Sequence, residues 1–106
     1  MTFDPPYIAV VFTSSRSSVD DGYGDMSDHM VDLVNKVDGF LGMDSVRGAD
    51  GQGITVGYFR DDDALKAWRE NIEHRTAMQL GRDKWYDEYS LHVTRVERSY
   101  NWSREG

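Results

Sequence analysis

Cysteine is absent from the 106 residues, which excludes disulfide bridges, a thiolate nucleophile and any zinc or iron site built on sulfur. Positive charge is scarce as well. Twelve Lys and Arg stand against nineteen Asp and Glu, a formal net charge of -7, and the basic residues are scattered rather than gathered on one element. Such a balance repels duplex nucleic acid and suits a soluble domain that resists aggregation. No apolar run reaches even signal-peptide length, and residues 1–6 carry no basic n-region, so a cytoplasmic protein with no membrane partner is the default expectation. The only histidines, His29, His74 and His92, fall on different predicted elements without H-x-x-x-H spacing, a pattern that offers no metal site. Internal repeats and low-complexity segments are lacking too, and the length fits one domain over residues 1–106 but not a second core.

What is present is an ordered set of elements. Residues 7–13 are aromatic and branched, lie between Pro5-Pro6 and a serine cluster, and predict a strand. Tyr7, Ala9 and Val11 point one way while Ile8, Val10 and Phe12 point the other, so both faces of this strand should be covered. Residues 14–24 are polar and glycine-punctuated and predict a loop, a rim or lid of a site. Met26, Met30, Leu33, Val34 and Val37 recur at three and four, predicting a helix from about Asp25 that Asp38-Gly39 stops. Residues 40–42 then form an apolar hinge, residues 43–47 an edge strand, residues 48–53 a turn, and residues 54–59 an antiparallel partner strand.

Asp61, Asp62 and Asp63 supply an N-cap and negative charge for a second helix, whose apolar face is Ala64, Leu65, Trp68 and Ile72. The stripe fades near His74, where a kink or break is expected, and Gly81 ends the helical region. Residues 90–100 form the last strand. Leu91 and Val93 take one parity and Val96 and Tyr100 the other, which requires a bulge or two covered faces.

The order βαββαβ predicts a ferredoxin-like α+β fold, a four-stranded antiparallel sheet with two helices on one face. Two helices cannot cover both sides. The apolar second face of the first strand, and Tyr58 and Phe59 on opposite sides of the third, call for a second copy packed sheet to sheet. Within residues 53–102, Trp68, His74, Trp85, Tyr86 and Tyr89 gather indoles, phenols and an imidazole, suggesting a pocket for a flat ring.

Phe12-Thr13-Ser14, Gly39-Phe40-Leu41-Gly42, Gly53-Ile54-Thr55-Val56 and Trp68 followed by Glu73-His74 carry a family resemblance. Gln79, Gly81, Trp85-Tyr86, Tyr89 and Val96-Glu97-Arg98 continue it. The chain resembles the antibiotic biosynthesis monooxygenase family, small proteins of the dimeric α+β barrel superfamily, over nearly its whole length. The resemblance implies a homodimer with facing sheets and a pocket between sheet and helices in each subunit. Known activities in the family include oxygenation of polycyclic phenols without metal or flavin, quinol oxidation, and haem degradation.

On that basis His74 is the candidate base of a cofactor-independent monooxygenase or oxidase acting on a phenolic or quinol substrate, because such an enzyme needs a group titrating near neutral pH in a dry cavity. Trp68, six residues earlier, would lie about 120° away on a continuous helix, so only a break lets its indole wall the same pocket and steady a substrate oxygen. Trp85, Tyr86 and Tyr89 line the pocket mouth or the dimer contact, with Tyr58 and Phe59 similar. Arg75 and Arg82 serve a carboxylate ligand or a solvated helix face, and His29 lies on the surface.

A haem-binding or haem-degrading protein is the alternative, with a histidine on iron and aromatics around the macrocycle. Two departures count against it. Haem degraders of the family carry an asparagine near the end of the first strand and a wider tryptophan-to-histidine spacing, whereas this strand ends Phe12-Thr13. A non-catalytic, metabolite-binding dimer is the third reading, and the fold does not separate the three.

Overall fold

In the computed structural model, residues 3–104 are described, Ile72 by its backbone only. The place of the Ile72 side chain in the apolar stripe therefore lies outside what is described. Four strands, β1 (Tyr7–Arg16), β2 (Phe40–Arg47), β3 (Gln52–Phe59) and β4 (Tyr86–Val96), form one antiparallel sheet in the order β2-β3-β1-β4. Helix α1 (Tyr23–Val34) connects β1 to β2. Helices α2 (Asp62–Arg69) and α3 (Ile72–Leu80), then a π-helical turn at Gly81–Trp85, connect β3 to β4. This is the ferredoxin-like arrangement, with the second helix in two pieces.

Register assigns the faces. Ile8, Val10, Phe12 and Ser14 oppose Phe59, Gly57, Thr55 and Gly53 of β3, and alternation puts all of them on the helix side. Ile8 and Phe59 there join Val34, Ala64 and Leu65 in the core, with Val10, Phe40, Met43 and Trp68 packed against it. On the other face Ala9, Val11 and Thr13 oppose Tyr58, Val56 and Ile54. Among the described residues no helix covers that side, and Ile54 and Val46 are 49% and 71% exposed.

Several sequence expectations shift. Strand β1 runs through Ser14 and Ser15 to Arg16, because Ser14 is buried and receives a hydrogen bond from Arg47 Nη2 at 2.8 Å. With α1 starting at Tyr23, the expected loop of residues 14–24 shrinks to residues 17–22. It is tied down rather than lid-like: Ser17 N donates to Trp85 O at 2.8 Å, Trp85 Nε1 donates to Asp21 O at 2.9 Å, and Arg16 pairs with Asp20. Residues 40–42 are part of β2 rather than a hinge.

The last strand begins at Tyr86 instead of residue 90 and ends at Val96, leaving Tyr100 in the tail. Its irregularity falls where Ser15 opposes Glu88 and Arg16 opposes Tyr86, so Asp87 is the extra residue. That bulge returns Tyr86 to the face of Tyr89, and both rings pack on Phe12. Val96 needs no second bulge, since it opposes Tyr7 on the uncovered face.

Helix α2 is capped as expected: Asp61 accepts a hydrogen bond from Ala64 N at 2.9 Å. The turn between α1 and β2 packs against the start of α2 and depends on Gly39, where φ is +91° and a Cβ would sit 2.7 Å from that of Ala64. Among the described residues no helix is long and apolar enough to cross a membrane.

Candidate functional site

The apolar face of α1 does not close onto the sheet. Met26, Met30 and Val34 on the helix and Val10, Phe12 and Met43 on the strands line a cavity of about 430 Å³. A sealed, dry void of that size would forfeit on the order of 10 kcal/mol of packing in a domain whose whole stability is comparable. The cavity is open instead, and Leu91 and Val93 on β4 line it while 53% exposed.

The break between α2 and α3 builds one end. Helix α2 ends with Asn71 N donating to Trp68 O at 3.1 Å, and Asn71 then turns extended, with φ -62° and ψ 123°, to cap α3 by accepting from His74 N at 3.0 Å. The restart rotates the second segment against the first. His74 stacks on Trp68 with centroids 4.2 Å apart and planes 21° from parallel, and both line the cavity.

His74 Nδ1 lies 3.2 Å from Trp68 O. A carbonyl only accepts, so Nδ1 carries the proton and Nε2 keeps its lone pair. Burial pushes the His74 imidazole below its ordinary value, and the bond to the Trp68 carbonyl opposes that in part. A place in the first turn of α3 also disfavours the imidazolium. Burial and helix position both favour the neutral ring, held in one orientation by the Trp68 carbonyl. Alongside it, Glu73 pairs with His29 of α1 at 2.8 Å, joining two helices beside the site. His29 is half exposed, as expected for a surface residue.

The other end is built by the π-helical turn. Its wide coil delivers Trp85 to the cavity wall, 3% exposed. Gly81 does not end the helical region but starts this turn, and a Cβ there would come 2.9 Å from the Tyr86 ring. The Tyr86 hydroxyl lies 3.4 Å from that of Tyr23. Burial first, then that contact, raises the Tyr86 phenol above its ordinary range, while Arg47 and Arg16 act the other way. It therefore stays protonated.

Of the seven residues expected at the site, His74, Trp68, Trp85, Tyr86 and Phe59 line one cavity. Two do not. Strand alternation sends Tyr58 to the uncovered face, where it packs on Tyr7 and donates to Asp44 Oδ2 at 3.0 Å. Tyr89 faces the helix side but is held against Phe12, its hydroxyl accepting from Arg82 Nε at 2.7 Å, outside the cavity lining. That bond gives Arg82 a structural partner. Tyr23 and Arg47 went unread, Tyr23 because it lies in what reads as a loop and Arg47 because a charge on an edge strand has an ordinary explanation. No group of three His, Cys, Asp or Glu is placed to hold a metal ion among the described residues.

Residues 6–80 match the model of the antibiotic biosynthesis monooxygenase family. The chain belongs to that family. It is 47% identical over 97 residues to the uncharacterized protein YqjZ of Bacillus subtilis, covering 92% of this chain and 85% of that one. Among solved structures it resembles SnoaB, a cofactor-independent oxygenase from Streptomyces nogalater, with TM-score 0.76 and 9% identity over 90% of this chain and 97% of that one. Rv0793 from Mycobacterium tuberculosis is similar as well, with TM-score 0.77 and 14% identity over 90% and 99%. At those identities the two structures speak for the fold alone.

The depressed His74 pKa has a stability consequence. An unfolded chain takes up the proton near the ordinary value of 6.5, before the folded chain does, so stability falls as pH drops from there toward the lower folded pKa and levels off below it. Urea denaturation across this range should show a shallower loss on acidification for His74→Gln than for the native protein. Equal slopes would mean the ring titrates normally.

Proposed function

We propose that the protein oxygenates a phenolic or quinol-type aromatic compound without metal or flavin, using His74 as the base and Trp68 as the platform beneath it. The observation that carries this reading is the flat stack of His74 on Trp68 in the cavity wall, with Nδ1 tied back and Nε2 left as the lone-pair nitrogen. The likeness to SnoaB, described as a cofactor-independent oxygenase, supports the same chemistry.

Electrons for dioxygen then come from the substrate. Nε2 accepts the phenol proton, and the phenolate passes one electron to O2, giving an aryloxyl radical and superoxide. Their recombination forms a ring C–O bond as a peroxide. The imidazolium protonates the peroxide. Nε2 then takes the ring hydrogen at that carbon as a proton, while the C–H bonding pair forms the carbonyl and breaks the O–O bond. The proton leaves with the expelled hydroxide as water, so that a quinone remains. In sum, a phenol and O2 give a quinone and water. The imidazolium formed on the way lies against the face of Trp68, where a cation is favoured. A depressed pKa keeps the base unprotonated to lower pH than an ordinary histidine.

Oxygen uptake by chelator-treated protein, measured over a panel of phenols and hydroquinones, is the test. The account expects uptake with stoichiometric quinone, reduced about a hundredfold in His74→Ala. Saturable binding of these compounds with no uptake would instead make the protein a metabolite-binding module.

The uncovered sheet face supports a second part of the reading, a homodimer in which two copies bury Ala9, Val11, Val56, Ile54 and Val46 against each other as facing sheets. Light scattering at micromolar concentration should give twice the 12.2 kDa chain mass, and Ile54→Glu should return it toward one chain. A monomeric native protein would contradict the facing sheets.

A further inference from the structure

Arg47 is a charged, cavity-lining residue that the oxygenase chemistry leaves unused. It closes β2 opposite Gly53, and a Cβ at Gly53 would fall 2.5 Å from the guanidinium carbon. The absent side chain therefore lets the guanidinium lie flat across the sheet on the helix side. Two bonds hold it there, Nη1 to Gly51 O at 2.6 Å and Nη2 to Ser14 Oγ at 2.8 Å. Ser14 is only 4% exposed.

Two of the five guanidinium donors are thus engaged, and the others are available in a planar fork suited to a carboxylate. Arg16 pairs with Asp20, and Arg60 pairs with Asp38 and Asp61. Among the described residues no carboxylate pairs with Arg47, although the chain carries nineteen acidic side chains. An unneutralised, anchored cation in the lining of a mostly apolar cavity is a local reversal of the protein's charge. The Tyr86 phenol lines the same cavity, its proton directed to the Tyr23 hydroxyl at 3.4 Å.

The charge and the base enter the lining from different elements: Trp68 and His74 come from the two helices that follow β3, whereas Arg47 ends β2 and binds Ser14 of β1. We propose that Arg47 is the anion-binding, specificity-determining residue of the cavity. The ligand is then an aromatic acid, its electron-rich ring at Trp68 and His74 and its carboxylate on the Arg47 guanidinium. The placement of the ring rests on the functional reading above, whereas the acid preference at Arg47 is read from binding alone.

The test compares two rigid probes by calorimetry, 4′-hydroxybiphenyl-4-carboxylate and its neutral carboxamide. A charge-assisted pair on an exposed guanidinium should make the acid bind about tenfold tighter at low salt, with the gap narrowing as ionic strength rises. In Arg47→Gln the gap should close. Equal affinities in the native protein, a gap that survives Arg47→Gln, or no saturable binding of either probe would overturn the proposal. Should Arg47→Gln fail to fold, the native probe pair and its salt dependence still decide. An acid preference with no oxygen uptake from any phenol supports Arg47 while sinking the oxygenase reading, and uptake with no acid preference does the reverse.

Discussion

The interruption of the helix between Glu70 and Asn71 is the constraint on which the candidate site depends. A continuous helix would spend the Trp68 carbonyl on its own ladder and hold the Trp68 and His74 side chains about 120° apart. Ending α2 there frees that carbonyl to accept from both Asn71 N and His74 Nδ1. One backbone oxygen thus terminates a helix, fixes a tautomer and lays an imidazole on an indole. The capping oxygen of Asn71 makes the restart possible by satisfying an amide at the head of α3.

The cavity follows from how the remaining apolar surface is distributed. Ile8, Phe59, Val34, Ala64 and Leu65 gather toward the Phe59 end of the sheet, while the methionines of α1 face an open volume rather than packed side chains. Flexible thioethers suit a wall that must adapt to a ligand. The π-helical turn and the bulge at Asp87 set the far end, turning Trp85 and Tyr86 to the helix side in a stretch where simple alternation would separate Tyr86 from Tyr89.

Much of the fold could be read from the chain because patterns of two, three and four are strong in β1, α1 and the β2-β3 pair, and because Asp61 is an ordinary cap. What could not be read depends on tertiary context. Ser14 resembles a loop residue until Arg47 covers it, and Tyr86 resembles a loop aromatic until the Asp87 bulge is known. The helix break was anticipated near His74, but its position was hidden: Arg69, Glu70 and Asn71 include neither glycine nor proline, and a lone asparagine in an amphipathic run is a weak cap signal. Tyr58 is open between pocket mouth and dimer contact in the sequence, and the register sends it to the uncovered face because Phe59 beside it packs in the core.

The most direct measurement on this account is the proton NMR spectrum of the His74 ring in the native protein and in Trp68→Leu. Stacking at 4.2 Å places the imidazole protons in the shielding region of the indole. They should resonate clearly upfield of ordinary histidine positions and return toward them when Trp68 is replaced. Ordinary positions in the native protein, unchanged in Trp68→Leu, would mean that the two rings do not meet and that the proposed base has no platform.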